Sequence, residues 1–213
     1  MNSKALTLPG KQGSLSPQES WLCLDFANTL EWHASDHPEE HVHSYKDLVS
    51  WARDKGILDE QDGGRLLRQA EQHPLKAKRV YEKAISLREA VYRIFSRVAA
   101  GGEPDEPDLE ILSGFLPEAL SHLRLDQTQG GFTWQWRAAE DDLDRIWWPI
   151  ARSAADLLTS REIDRVGECA DDRGCGWLFF DMSRNRSRRW CDMKDCGNRN
   201  KVRRYYARHK RPA

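Results

Sequence analysis

The sequence predicts an α+β fold: a mainly helical body with one β-hairpin, followed by a small cysteine-rich module. Three observations carry this. Apolar residues recur at helical spacing through most of residues 21–158. The period drops to two only in LRLDQTQGGFTWQW, residues 123–136. Four of the five cysteines, Cys169, Cys175, Cys191 and Cys196, fall within 28 residues near the end of the chain.

The elements follow in order. Residues 1–18 are polar and rich in Gly, Pro and Ser, and are expected to be flexible. The body spans 19–160. Trp21, Leu22, Leu24, Asp25, Phe26, Thr29 and Leu30 read as a first helix, and 33–43 as a flexible loop rich in His and acids. His33, His37, His41 and His43 have no rigid H-x-x-x-H pair, because Pro38 interrupts them. Ser44 caps a helix that Gly56 ends. Asp59 or Asp62 starts a short one. Pro74 suits the first turn of a long helix reaching about Ala100, with Val80, Ala84, Leu87, Val91, Ile94, Phe95 and Val98 on one face. Residues 101–107 form a loop and 108–120 another short helix. The hairpin is expected to turn at Gly130–Gly131, which leaves Trp134 and Trp136 on one face as packing residues. Asp141 or Asp142 then caps a last body helix through Leu143, Ile146, Trp147, Ile150, Ala154 and Leu158.

Charge divides the chain in two. The whole carries −1, but residues 182–213 hold 12 Lys/Arg against two acids, so a tail of +10 follows a body of −11. No run of 18 apolar residues exists, so no membrane span is predicted, and the N-terminus lacks the apolar core of a signal peptide. Five cysteines are too few for a secreted disulfide scaffold of this length, so a cytoplasmic chain with reduced thiols is expected.

The cysteine spacing is C-x5-C-x15-C-x4-C over 161–213. Two close pairs of thiolates can complete a tetrahedron around Zn2+, and so small a module needs metal to fold. Buried thiols or a redox pair are the alternatives, but neither pair has the C-x-x-C spacing. Between the pairs, GWLFFDMS, a polar turn at 183–187 and RRW read as a second hairpin. The run CGNRNKVRRYYARHK reads as a helix whose stripe Val202, Tyr205, Tyr206, His209 is expected to pack. Knuckle, hairpin and helix describe a treble-clef-like zinc finger. This tail, down to Cys196-Gly197-Asn198-Arg199, resembles the CGNR zinc finger of bacterial proteins. LCLDFANTLEWH followed by SYKDLVSWARDKGIL resembles the start of the ABATE domain found upstream of it. The resemblance implies a stress-induced transcriptional regulator, with the four cysteines as zinc ligands.

The cations suggest the surface that such a protein would use. Arg184, Arg186, Arg188 and Arg189 are placed on the finger's turn and second strand, and Arg199, Lys201, Arg203, Arg204 and Arg208 on its helix. Held together by zinc, they form an electrostatic footprint for nucleic acid, DNA ahead of RNA. Asn198 can read a base edge or brace the metal loop. The other readings are a basic module docking on an acidic protein, and an enzyme using the Trp-rich body; no Walker loop, GxGxxG, HExxH or GxSxG occurs. A candidate ligand pocket for a small-molecule effector comprises Trp21, Asp25, Asn28 and Trp32. Homodimer formation through the body is a further expectation. Cys23, outside the cluster, reads as a small buried hydrophobe.

Overall fold

The computed structural model describes residues 5–6, 21–139 and 142–209, the first two by backbone alone. Apart from Ala5–Leu6, the N-terminal segment expected to be flexible lies outside the described residues, as do Asp141, Lys210 and Arg211. The α+β class agrees with the sequence: helices build the body, and short antiparallel strand pairs accompany them.

The spine is α4 (Pro74–Ala99), with Pro74 in its first turn. Around it pack α1 (Leu22–Ala27), α2 (Tyr45–Asp54), α3 (Glu60–Gln72) and α5 (Glu106–Ser121), while α6 (Trp148–Leu158) lies on α1 and α5. Ser44 caps α2 by accepting from the Asp47 N–H, and the Asp47 carboxylate accepts from the Ser44 hydroxyl in return. Gly56, at φ +70°, ends the segment. Of the two candidate caps for α3, Asp59 serves, accepting from the Asp62 N–H at 2.6 Å. Asp62 instead pairs with buried Arg145 at 2.7 Å. Phe26, Leu48, Leu66, Leu87, Ile94, Phe95, Trp147 and Trp148 are sealed from solvent. Each contributes roughly 1.5–3 kcal/mol of burial.

Three local expectations are corrected. The last body helix does not run unbroken from Leu143: a 3-10 turn over Leu143–Ile146 precedes α6. Pro149 has no N–H to give to residue 145, and its ring clashes with that carbonyl, so a new helix starts with Pro149 in its first turn. The hairpin of β4 (Leu123–Thr128) and β5 (Gly131–Arg137) turns at Gln129–Gly130, because Thr128 pairs with Gly131 and Leu123 with Trp136. A turn one residue later keeps the same side chains on the same face, so alternation cannot choose between them. Burial of Trp136 against Trp148, at 6.2 Å between rings, accompanies the observed register. On the other side of β5 the backbone of β1 (Ala5–Leu6) pairs antiparallel with Arg137 and Trp136.

The His/acid segment is the third. Its β3 (Glu39–Glu40) pairs with β2 (Leu30–Glu31). Arg88, only 2% exposed, grips Glu40 through two hydrogen bonds of 2.7 and 2.6 Å. His33 stacks on Tyr92 and meets Glu89 at 2.9 Å. The segment is therefore tied to α4, which composition alone does not reveal.

Candidate metal centre and the basic face

The strands β6 (Val166–Glu168) and β7 (Leu178–Phe180) pair antiparallel, and the Cys169 N–H donates to the Trp177 carbonyl at 2.9 Å, so the first cysteine pair flanks the loop at their tip. Gly174 (φ +85°) and Gly176 (φ +66°) shape this loop, and a Cβ on either would lie within 2.8 Å of the Ala34 backbone. The expected pairing of β7 with residues 188–190 is overturned: β7 takes its partner from before the first cysteine. Asp181 organises the returning chain, accepting from the N–H groups of Ser183 (2.7 Å) and Arg188 (2.8 Å). The Ala170 N–H then holds the Arg189 carbonyl at 2.8 Å. Asp192 caps a wide turn over Met193–Gly197 that carries Cys196 and leads into α7 (Asn198–His209).

These elements converge four sulfurs whose Sγ atoms all lie within 4.8 Å of one another. Cys175–Cys191, Cys191–Cys196 and Cys196–Cys175 are 3.7, 3.6 and 3.8 Å apart. A tetrahedral zinc with Zn–S of about 2.3 Å requires sulfurs about 3.8 Å apart, so the donor set fits Zn2+. The distances are far too long for disulfides, and all four thiols are free. Without a cation the thiols cannot ionise together: hydrogen bonds from Cys175 and Cys191 lower the Cys169 pKa, and those with Cys169 and Cys175 raise that of Cys191. Bound zinc supplies the positive charge that lets four thiolates coexist. Cys23 sits apart in the body core, its thiol pushed up to about 12 by burial.

The candidate ligand-pocket residues Trp21, Asp25, Asn28 and Trp32 do not converge on a common cavity; three of them meet the finger. Trp21 packs on Phe180 at 6.0 Å, and Asp25 pairs with Lys55 at 2.7 Å. The Asn28 side chain donates to the Leu178 carbonyl (2.8 Å) and accepts from the Leu178 N–H (2.9 Å). Trp32, at φ +54°, packs against the cysteine cluster with the guanidinium of Arg173 5.0 Å and of Arg199 5.7 Å from its ring. Asp171 fixes Arg173, and that guanidinium lowers the Asp171 carboxyl to about 2. These second contacts of the metal loop were missed from sequence, although two acids in CADDRGCG between the first cysteines were a visible signal. Among the described residues, His41 is the one loop histidine that joins two other metal-type donors, Glu31 and Glu39, in a partly exposed group.

The cations divide by partner. Arg186 pairs with Asp164, Arg199 with Asp195 and Arg203 with Asp172. Arg188 donates to the carbonyls of Trp190 and Cys191 and lies over Phe179. Arg189 lies over Trp190. Arg184, Lys201, Arg204 and Arg208 are exposed and make no ion pair among the described residues. Asn198 is exposed, while its neighbour Asn200 is buried. The stripe on α7 expected to pack does not: Val202, Tyr205 and Tyr206 are 45, 59 and 64% exposed. The helix leaves the finger after the Met193–Gly197 turn and meets no other element broadly. Between β6–β7 and the 183–189 loop lies a cavity of about 260 Å³ lined by Arg165, Phe179, Asp181, Arg186, Arg188 and Arg189.

A four-cysteine finger seated on a helical body defines a zinc-finger protein. Residues 21–161 match the ABATE family model, described as a putative stress-induced transcription regulator, and residues 165–209 match the CGNR zinc finger. The chain belongs to the ABATE family and ends in a CGNR finger, in the order its sequence suggested. No curated protein matches it. Among the described residues no helix is long and apolar enough to cross a membrane.

Proposed function

We propose that the protein binds nucleic acid, duplex DNA ahead of RNA, through the outer face of its zinc finger, and acts in transcriptional regulation in the cytoplasm without enzymatic chemistry. The observation that carries this is a group of exposed cations free of ion pairs among the described residues, Arg184, Arg189, Lys201, Arg204 and Arg208 among them, around one zinc-braced module. Guanidinium groups suit phosphate, and the exposed rings of Tyr205 and Tyr206 offer stacking surfaces beside them. Arg186, Arg199 and Arg203, already paired with acids, brace this face. The body holds the finger and supports assembly. No effector site is included at Trp21, Asp25, Asn28 and Trp32, whose side chains are committed to structural contacts.

Titration of mixed duplex DNA and RNA with the intact zinc-loaded protein tests the reading. With five phosphates neutralised, log K should fall against log[salt] with a slope of about −4.5 on duplex DNA. Arg204→Glu with Arg208→Glu should abolish most of the affinity at unchanged zinc content. Docking on an acidic protein is the second reading, favoured by the exposed apolar stripe of α7. Absence of association with either polymer at low salt rejects the first reading in favour of the second.

A further inference from the structure

The body hairpin carries surface that the fold leaves uncovered. Leu125, Phe132 and Trp134 are 56, 65 and 47% exposed, and the Trp134 ring also carries the Arg152 guanidinium 5.0 Å from its centroid. They share the sheet face that buries Leu123 and Trp136 farther along the same strands, so an apolar face continues past the core into solvent. Beside it, β4 is an edge strand: among the described residues its only ladder partner is β5.

The free edge has a defined set of backbone groups. A two-residue loop closes on a hydrogen-bonded pair, here Thr128 with Gly131. Hydrogen-bonded pairs then alternate through Asp126–Thr133 and Arg124–Gln135, and the Arg137 N–H continues the series onto the His122 carbonyl at 2.7 Å. The N–H and C=O groups of Leu123, Leu125 and Gln127 therefore point outward, and of these the Leu123 carbonyl accepts from the Arg124 guanidinium at 2.8 Å. Such an edge is a template for another strand.

We infer that β4 pairs antiparallel with β4 of a second copy of this chain, about a two-fold axis at Leu125, joining the two hairpins into one six-stranded sheet. Charge selects both the occupant and the register. With the axis at Leu125, Arg124, whose guanidinium also donates to the Ser121 and Leu123 carbonyls, faces Asp126 of the second copy, an acid that Arg137 of its own β5 holds at 2.5 Å, and Asp126 faces its Arg124. Moving the axis one residue either way sets Arg124 against Arg124 or Asp126 against Asp126, and like charges opposite each other destabilise a strand pair. The same axis places Leu125 beside its own copy and continues the two exposed apolar faces into each other. A two-fold interface needs such a self-complementary patch. The inference deepens the assembly role given to the body and is independent of nucleic-acid binding.

Sedimentation of the intact zinc-loaded protein, without nucleic acid and across the micromolar range, tests it. The expected mass is twice the 24.7 kDa of one chain. Arg124→Asp should raise the dimer dissociation constant roughly tenfold or more, since two opposite-charge pairs become like-charge pairs. Arg124→Asp with Asp126→Arg and Arg137→Glu should restore the dimer, because the signs are exchanged both between copies and within the Asp126–Arg137 pair of each hairpin. Leu125→Pro removes one outward N–H, leaves the bonds to β5 in place, and should also give monomers. Zinc content and far-ultraviolet circular dichroism identify variants that remain folded, and either variant decides by itself. A monomeric native protein overturns the inference, as does a dimer that survives either substitution in a folded variant or a charge exchange that fails to restore it.

Discussion

Asn28 binds both backbone groups of Leu178, a residue 150 positions away, and so ties the first helix of the body to the second strand of the finger. Its amide is buried, so no water replaces it when it is removed. Asn28→Ala should cost about 2 kcal/mol or more, because two buried backbone groups lose their partners. Denaturant unfolding measures this, and zinc content should not change, since Asn28 is no ligand. Asp144 supplies a pH-dependent counterpart in the body. Burial, and then the neighbouring Glu118 carboxyl, raises its pKa from 3.8 to about 7. The folded state then holds the proton more tightly than the unfolded one. The contribution to stability is full below pH 3.8 and is lost as pH rises through about 7. Asp144→Asn should be more stable than the parent at pH 8, by on the order of 2 kcal/mol, and equal to it near pH 3. Equal stabilities at pH 8 would reject this account of Asp144.

At the scale of elements, the finger is a hairpin, a wide turn and a helix with little apolar core of their own. Cys169, Cys175 and Cys196 form a small cluster separate from the body core, with Trp32 of the body packed on it. Metal provides the cohesion that such a cluster lacks. Cys191→Ser should therefore lose the single equivalent of zinc and release the finger to proteolysis, while the body retains its helical signal. Cys23→Ser should keep the zinc, since Cys23 lies in the body core beside Ser153. Metal analysis of both variants, with circular dichroism, separates these outcomes. The exposed tyrosines of α7 also belong to this scale: a helix that packs broadly on only one other element among the described residues cannot bury a stripe, whatever its period.

For the whole molecule, body and finger share one seam. Val166 and Leu178 of β6 and β7 are part of the body core, and Glu168 accepts from Ser96 at 2.5 Å and from Tyr92 at 3.3 Å on α4. A fragment of residues 161–213 would therefore expose apolar strand positions and lose Trp32 and Asn28. Its zinc affinity should fall about 10–100-fold relative to the intact chain, the range for losing supports around a metal site. Competition with a chromophoric chelator measures it. Equal affinity would show that the seam contributes nothing to the metal site.

Much of this structure depends on neighbours in the chain, and the sequence alone determined that part. Ser44 and Pro74 start helices through their own chemistry, the period of α4 follows from its apolar spacing, and the four cysteines declare zinc through ligand type and number. The alternation of 123–136 likewise identified a hairpin. Only tertiary structure decided the rest. Residues before Cys169 carry no strand pattern, yet they pair with β7 because the first knuckle lies between them. The two hairpin registers put the same side chains on the same face, and the sequence could not distinguish them. Asn28 looked like a pocket residue because a polar side chain on an apolar helix has no local reason to be there, and Trp32 because an aromatic ring close by could line the same pocket. Their partners lie more than a hundred residues away, so only the folded chain could supply the reason.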